Sequence, residues 1–178
     1  MRGYFGIGVE GISKEQNVGT IARSAHSFGA QFFFTIAPAV DVEKIRLTDT
    51  SDSFDHVPYH QYEDVQSMAL PDKCTLVGVE LMEGSIELPS FRHPLRAAYV
   101  LGPEMGSLSP GLVEKCDHII KIPMSFCVNV GVAGALVMYD RLLSMGKFAE
   151  RPVRAGGPTE KVEGPSTSLR RKIRTKKA

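Results

Sequence analysis

The 178-residue sequence is poor in cysteine and contains no long hydrophobic run. Its three cysteines, Cys74, Cys116 and Cys127, are an odd number without C-x-x-C spacing, which argues against a disulfide framework and a zinc knuckle. No apolar stretch reaches the length that crosses a bilayer, and the first residues, MRGYFGIGVEG, lack the cationic start and apolar core of a signal peptide. We therefore expect reduced thiols, no membrane segment and a cytoplasmic location.

Positive charge is in excess only at the C-terminal end. The formal net charge is +1, but six of the 21 Lys and Arg residues lie in the last nine positions, which leaves 15 basic and 20 acidic residues elsewhere. After Glu150 the sequence turns to Gly, Pro, Ser and charged residues, which are too polar to form a core. The sequence predicts one domain over residues 1–150 and a flexible basic tail over 151–178. The tail either adds salt-sensitive affinity for phosphates or has no specific role.

Strands and helices alternate in the pattern of hydrophobic residues. Several short runs are apolar throughout, as is typical of strands covered by helices on both faces. An i, i+3, i+4, i+7 spacing predicts a helix over residues 18–28 with Asn17 as N-cap and Gly29 as C-cap, and a last helix from Gly131 to about Gly146. This alternation predicts an α/β fold built on a parallel sheet. The predicted strands are Tyr4–Val9, Gln31–Ile36, Thr75–Val79, Ala97–Leu101 and His118–Ile122.

Most of the common catalytic and cofactor motifs are missing or incomplete. Gly6, Gly8 and Gly11 match the dinucleotide fingerprint G-x-G-x-x-G, but they lie within or at the end of the first predicted strand, whereas the fingerprint follows a strand and opens a helix. His56 and His60 have the spacing of a helical metal pair, yet an intervening proline argues against that helix, so no metal site is predicted. The sequence has neither a P-loop nor a serine nucleophile elbow.

The stretch Asn17-Val18-Gly19-Thr20-Ile21-Ala22-Arg23 combines small and polar residues at a predicted helix start. Gly19 and Arg23 are four residues apart and share a helix face, which leaves room for an anion beside the guanidinium. The alternative interpretation is a surface arginine on an amphipathic helix.

Residues 101–109, LGPEMGSLS, follow a predicted buried strand. Ligands of open α/β sheets bind beyond the carboxyl ends of strands, where glycines let backbone groups touch the ligand. A turn into a helix capped by Ser109, with Pro110 in the first position, explains part of this stretch but not Glu104.

Residues 122–134, IPMSFCVNVGVAG, place polar groups between a strand and a buried helix. Ile122 and Pro123 close the strand, and a loop leads to Asn129, whose amide needs hydrogen-bond partners when it is buried. Two such strand-end loops side by side would form a cleft lined by backbone and small side chains, a shape suited to a flat heterocycle.

In this order, the three stretches resemble the three motifs of the SPOUT superfamily, in particular its SpoU or TrmH-like branch of RNA ribose 2′-O-methyltransferases. They correspond to N-x-G-x-x-x-R, to L-G-P-E-x-x-G-L-S with Ser107 before Leu108, and to I-P-M followed by N-V. The resemblance covers about residues 3 to 147. The matching residues are Asn17, Gly19, Arg23, Gly102, Pro103, Glu104, Gly106, Ile122, Pro123, Met124, Asn129 and Val130.

The resemblance implies a parallel sheet flanked by helices, a C-terminal deep trefoil knot, and S-adenosylmethionine bound in the knot. It implies homodimers in which the first motif of one subunit completes the site of the other, with Tyr139 and Leu142 as candidate interface residues. RNA is the implied substrate, and the lack of a long N-terminal RNA-binding extension favours tRNA over rRNA. The implied cofactor-binding residues are Glu80, Leu101, Gly102, Ile122, Met124, Cys127 and Val128.

The resemblance also implies catalytic roles. Arg23 would orient the ribose hydroxyl and stabilise the developing alkoxide, since arginine stays protonated and is a poor base. Asn17 would orient Arg23 and the first-motif loop, and Glu104 and Asn129 would support the site.

The third motif departs from the family pattern S-x-N-x-S. Cys127 and Gly131 replace two of its serines, and Gly131 has no hydroxyl. A nonenzymatic RNA-binding or assembly factor with the same fold is therefore one alternative. A Rossmann-type oxidoreductase that uses Gly6, Gly8 and Gly11 is another.

Overall fold

A parallel seven-stranded sheet with flanking helices forms the core of the computed structural model, which describes residues 3–48 and 52–148. The strand order is β3-β2-β1-β6-β4-β7-β5, and every neighbouring pair is parallel. The elements are β1 (Tyr4–Glu10), α1 (Glu15–Phe28), β2 (Phe32–Ile36), α2 (Val42–Thr48), α3 (Ser53–His56), β3 (Tyr59–Tyr62), β4 (Thr75–Val79), β5 (Ile86–Glu87), β6 (Arg96–Leu101), α4 (Pro110–Lys115), β7 (His118–Lys121) and α5 (Val130–Met145), with a short 3-10 helix at Leu88–Ser90.

The predicted α/β fold with a parallel sheet flanked by helices is confirmed. The trefoil knot and the domain boundary near Glu150 stay predictions, and the basic tail over 151–178 lies outside the described residues. Within the described part of the chain, no helix has both the length and the hydrophobicity to cross a membrane.

Alternate residues of the central strands enter two different cores. Ile7, Phe33 and Tyr99 pack with α1 and α5 on one face of the sheet. Phe34 and Val100 pack on the other face with Leu112 of α4. Because both faces are covered, these strands are apolar along their whole length, which is why their sequences predict them well.

All five predicted strands are present, with ends that shift by no more than one residue. The two remaining strands lack the apolar pattern that would predict them. β3 exposes His60 and Gln61 at one edge of the sheet, and β5 has only two residues, both exposed, at the other. Short polar strands at sheet edges carry little sequence information, because few of their side chains are buried.

Gly6 and Gly8 lie inside β1, where neighbouring rings fill the space of their missing side chains. A Cβ on Gly6 would be 2.2 Å from the Phe32 ring, and a Cβ on Gly8 would be 2.3 Å from the Phe34 ring. These glycines therefore have a packing role within the sheet, which does not support the oxidoreductase alternative.

Two of the three predicted helix caps are confirmed. Gly29 ends α1 with φ of 75°, and Ser109 caps α4 by accepting a hydrogen bond from Leu112 N. The prediction of Asn17 as the N-cap is wrong, since α1 begins at Glu15 and Asn17 is a buried residue in the first turn of this helix. The reason is that its side chain bonds to two other loops instead of to its own helix.

Arg141 of α5 is buried and ties this helix to the amino end of β6. Its guanidinium donates to Leu95 O at 3.0 Å, Pro94 O at 2.6 Å and the Tyr99 hydroxyl at 3.0 Å. A buried charge is tolerated when its donors are satisfied, and here carbonyl and phenol oxygens satisfy them. The orientation of α5 across the sheet is thus fixed at the end of the strands opposite to the site described below.

Substitution of Gly8 by Ala should destabilise the fold by about 1–3 kcal/mol, because the new methyl group overlaps the fully buried ring of Phe34. Urea denaturation measures this change in the free energy of unfolding. Gly111→Ala is the matched control, since no atom lies within 4 Å of its Cβ position in α4, and it should leave stability unchanged or raise it by up to about 1 kcal/mol. A Gly8→Ala protein as stable as the wild type would contradict the packing role.

Candidate functional site at the carboxyl ends of the strands

A cavity of about 260 Å³ opens beyond the carboxyl ends of β4, β6 and β7. Its walls come from the residues that follow these three strands and from the starts of α1 and α5. All seven residues predicted to bind a cofactor line it, together with two of the four predicted catalytic residues, Glu104 and Asn129. The lining residues from these two predicted sets are Glu80, Leu101, Gly102, Glu104, Ile122, Met124, Cys127, Val128 and Asn129.

The loop after β6 is held in place by two carboxylates. Glu80, after β4, accepts from Leu108 N at 2.8 Å, and Glu10, at the end of β1, accepts from Ser109 N at 2.7 Å. The loop is therefore held by acceptors at the ends of the two strands that flank β6 in the sheet. Sequence reasoning missed Glu10, because its only visible feature there is an acidic residue at the end of an apolar strand.

Glu104 accepts hydrogen bonds from three residues around the start of α1, two that precede the helix and one in its first turn. Ser13 N and Ser13 Oγ each lie 2.9 Å from Oε2, and Lys14 N lies 3.1 Å from Oε1. Asn17 Nδ2 donates to Oε1 at 2.8 Å. The carboxylate thus joins the second motif to the first.

Asn17 and Asn129 extend this connection to the third motif. Asn129 Nδ2 donates to Asn17 Oδ1 at 2.9 Å, and Asn129 Oδ1 accepts from Gly131 N at 2.8 Å as the N-cap of α5. The three stretches found in the sequence are therefore one hydrogen-bonded unit. The chain runs from Glu104 through Asn17 and Asn129 to the backbone of α5.

These bonds set the protonation of Glu104. Burial alone would raise its pKa, but the hydrogen bonds from Asn17 and Ser13 outweigh burial and lower the pKa to about 2. Glu104 is therefore ionised at neutral pH, and its role at the site is that of an acceptor.

Arg23 is exposed and does not line the cavity. It lies six residues beyond Asn17 on α1, and at 100° per residue this spacing places the two side chains on different faces of the helix. The space above Gly19, on the same face as Arg23, is open to at least 4 Å. The positive side chains at the cavity itself are Lys14 and Lys121.

Gly131 has a packing explanation. A Cβ at this position would lie 2.7 Å from Cγ2 of Thr20 and 3.1 Å from Asn129 Oδ1. The first turn of α5 therefore approaches α1 more closely than a serine would allow. A serine at this position would require the side chain of Thr20 to move.

Comparison with known proteins places this chain in a family of methyltransferases. The SpoU rRNA Methylase family matches residues 5–139, so the chain belongs to this family, as its motifs predict. A mouse protein, tRNA (guanosine(18)-2′-O)-methyltransferase TARBP1, is 24% identical over an alignment of 139 positions, and the match covers 72% of this chain and 9% of the mouse protein. The chain therefore spans a small part of that relative.

Solved structures share the fold at low sequence identity. The SpoU methyltransferase AviRb from Streptomyces viridochromogenes, in complex with AdoMet, has a TM-score of 0.70 at 20% identity and covers 80% of this chain and 61% of its own. A chain from structural work on the 2-OH methylation of C/U34 on tRNA has a TM-score of 0.67 at 19% identity and covers 80% of this chain and 91% of its own. The predicted methyl donor is thus confirmed at the level of the family.

Replacement of Glu104 by Gln should lower stability by about 1 kcal/mol at pH 6, because charge-assisted hydrogen bonds are lost but solvent screens a half-buried group. The depressed pKa means that the carboxylate stabilises the fold above its ordinary value of 4.5 and loses this effect as the pH falls towards 2. The gap in thermal midpoint between wild type and Glu104→Gln should therefore narrow between pH 6 and pH 3.

The exposed Glu83→Gln is the control for this experiment, and its midpoint should follow that of the wild type at each pH. A gap for Glu104→Gln that stays constant or widens on acidification would contradict the assigned role of the carboxylate.

Substitution of Gly131 by Ser should cost about 1–3 kcal/mol of stability through overlap with Thr20. The same substitution in a Thr20→Ala background should cost much less, since the methyl group at 2.7 Å is gone. Urea denaturation of the four proteins in this cycle measures the coupling. Equal costs in the two backgrounds would show that Thr20 does not exclude the serine.

Proposed function

We propose that this protein transfers a methyl group from S-adenosylmethionine to a ribose 2′-hydroxyl of RNA. The observation that carries the proposal is that the second and third motifs form the walls of one cavity. Glu104, Asn17 and Asn129 link these two motifs to the first motif through hydrogen bonds. A tRNA substrate is favoured by the names of the mouse relative and of the tRNA-methylation structure. The proposal includes the knotted topology that the family resemblance implies and a cytoplasmic location.

The cavity lining suits S-adenosylmethionine. Small and apolar residues such as Leu101, Gly102 and Ile122 offer main-chain groups to a flat heterocycle. The loop is tightly folded here, since a Cβ at Gly102 would lie 3.2 Å from Leu108 N and 3.4 Å from Glu80 Oε2. Met124, Cys127 and Val128 also line the cavity. When bound, the cofactor supplies an activated methyl group on a sulfonium centre.

The remaining chemistry falls to the protein and consists of positioning and charge stabilisation. A ribose hydroxyl that accepts a methyl group gives its proton to solvent water, and negative charge develops on its oxygen. A guanidinium that donates hydrogen bonds to this oxygen stabilises the charge and orients the acceptor. We assign this role to Arg23. Glu104, Asn17 and Asn129 keep the three loops in register and act as positioning residues.

Arg23 is proposed to act on the site of a partner subunit, because it does not line the cavity of its own subunit. A homodimer interface on α5 is supported by Val132, Leu136 and Tyr139, which are 46%, 39% and 48% exposed and follow one helix face. Leu142, the other predicted interface residue, is half-buried on the next turn. Exposed apolar stripes of this kind mark interaction surfaces.

Replacement of Arg23 by Ala should abolish methylation while the affinity for S-adenosylmethionine stays unchanged. Transfer of labelled methyl groups to tRNA measures the first quantity, and calorimetry measures the second. Digestion to nucleosides identifies the 2′-O-methyl product. Arg92→Ala, which removes another exposed arginine, is the control and should keep full activity. A wild-type protein that binds RNA but no cofactor would instead favour the nonenzymatic alternative.

Mixing two inactive variants tests the action between subunits. Arg23→Ala and a cavity-blocking Gly102→Trp protein, unfolded and refolded together in equal amounts, should recover about a quarter of wild-type activity. Half of the dimers formed at random contain one copy of each variant. In each of these mixed dimers one of the two sites has both an open cavity and the arginine of the partner subunit. A mixture that remains inactive, while each variant still dimerises, would show that Arg23 does not act across the interface.

A further inference from the structure

Two large apolar side chains stand out by their exposure. Met105 is 89% exposed and Phe126 is 86% exposed, whereas the next most exposed large apolar residue of the described chain, Leu95, reaches 61%. An aromatic ring exposed to water does not contribute the stabilisation of the fold that its burial would provide. Neither side chain is part of the two hydrophobic cores.

Both side chains belong to the loops that form the cavity. Met105 lies between Glu104 and Gly106, which line the cavity, and Phe126 directly precedes Cys127, which also lines it. These loops are anchored, since Glu104 bonds to the start of α1 and Asn129 caps α5. The exposed side chains are thus presented from fixed loops next to the methyl-transfer site.

The positive charge at the cavity indicates which kind of ligand Met105 and Phe126 contact. Lys14 and Lys121 line it, and within residues 3–48 and 52–148 neither forms a salt bridge. The carboxylates of Glu80 and Glu104 at the cavity already accept backbone hydrogen bonds. Unpaired ammonium groups at the cavity, together with an exposed ring and thioether on the loops that form it, match a ligand with an anionic backbone and flat apolar faces. Single-stranded RNA has this chemistry, because its unstacked bases bind aromatic side chains.

We infer that Phe126, assisted by Met105, stacks on an unpaired base of the substrate RNA and so positions the target nucleotide at the cavity. This inference rests on the proposed function, which it deepens by naming a positioning residue and by requiring an unstacked nucleotide. Lys14 and Lys121 contact the phosphates on either side. Phe126 thereby acts on the RNA and not on the methyl donor.

The lack of tryptophan in the chain allows a direct test. Phe126→Trp introduces a single tryptophan, whose fluorescence is quenched when a base stacks on it. A short single-stranded RNA should quench it, whereas an RNA of the same length without bases and a duplex of the same sequence should not. Leu95→Trp is the control, because Leu95 is exposed at the amino end of β6, opposite to the cavity, and its fluorescence should not respond. Equal responses of the two tryptophans, or quenching by the baseless RNA, would overturn the inference.

Kinetics of Phe126→Ala complete the test. Because a base stacked on one aromatic ring contributes substantially to RNA binding, removal of the ring should raise KM for RNA by about 5-fold to 100-fold. The affinity for S-adenosylmethionine should be unchanged, and Phe126→Tyr, which keeps an aromatic ring, should restore activity. Loss of cofactor affinity or of the dimer in Phe126→Ala would overturn the inference, as would an unchanged KM. If the wild type fails to methylate any RNA, the proposed function fails, and the fluorescence result still decides whether Phe126 binds a base.

Discussion

The hydrogen bonds of the Glu104 carboxylate are the interaction on which the arrangement of the site depends. One side chain from the loop after β6 satisfies the backbone N–H groups of Ser13 and Lys14 and the amide of Asn17. Ser13 and Lys14 directly precede α1, and an anion beside the N-terminus of a helix is favourable. The start of α1 is thus completed by another part of the chain. That dependence fixes the distance between the first and second motifs.

Carboxylates have the same structural use at three neighbouring places. Glu10, Glu80 and Glu104 each follow or end a strand of the sheet, and each accepts a backbone N–H from a loop. The loops are therefore held by polar bonds at their bases as well as by the packing of residues such as Leu108. A cavity lined by main chain and small side chains results, next to exposed apolar residues that the fold does not need.

The central strands could be predicted from the sequence itself, because they depend on local patterns, whereas the residues of the cavity wall were predicted from the resemblance to a known family. Strands buried on both faces are apolar throughout, and the wall residues follow such strands directly. Asn17 was misread as a helix cap, since nothing local shows that its amide bonds to Glu104 and Asn129, 87 and 112 residues away along the chain. Glu10 and β3 were missed for a related reason. Their partners are distant, and their own sequences carry no apolar periodicity.

The close contact of α1 and α5 links the site to the proposed dimer. Thr20 against Gly131 sets how near the two helices lie, and Asn17 bonded to Asn129 repeats the link one turn earlier. The same two helices carry Arg23 and the exposed stripe that includes Tyr139, whose ring lies 6.2 Å from Phe28 at the end of α1. A shift of α5 against α1 would therefore change the position of the proposed interface relative to the arginine. This gives a physical reason for a glycine at position 131, since the larger serine would separate the helices at the point where the three motifs meet.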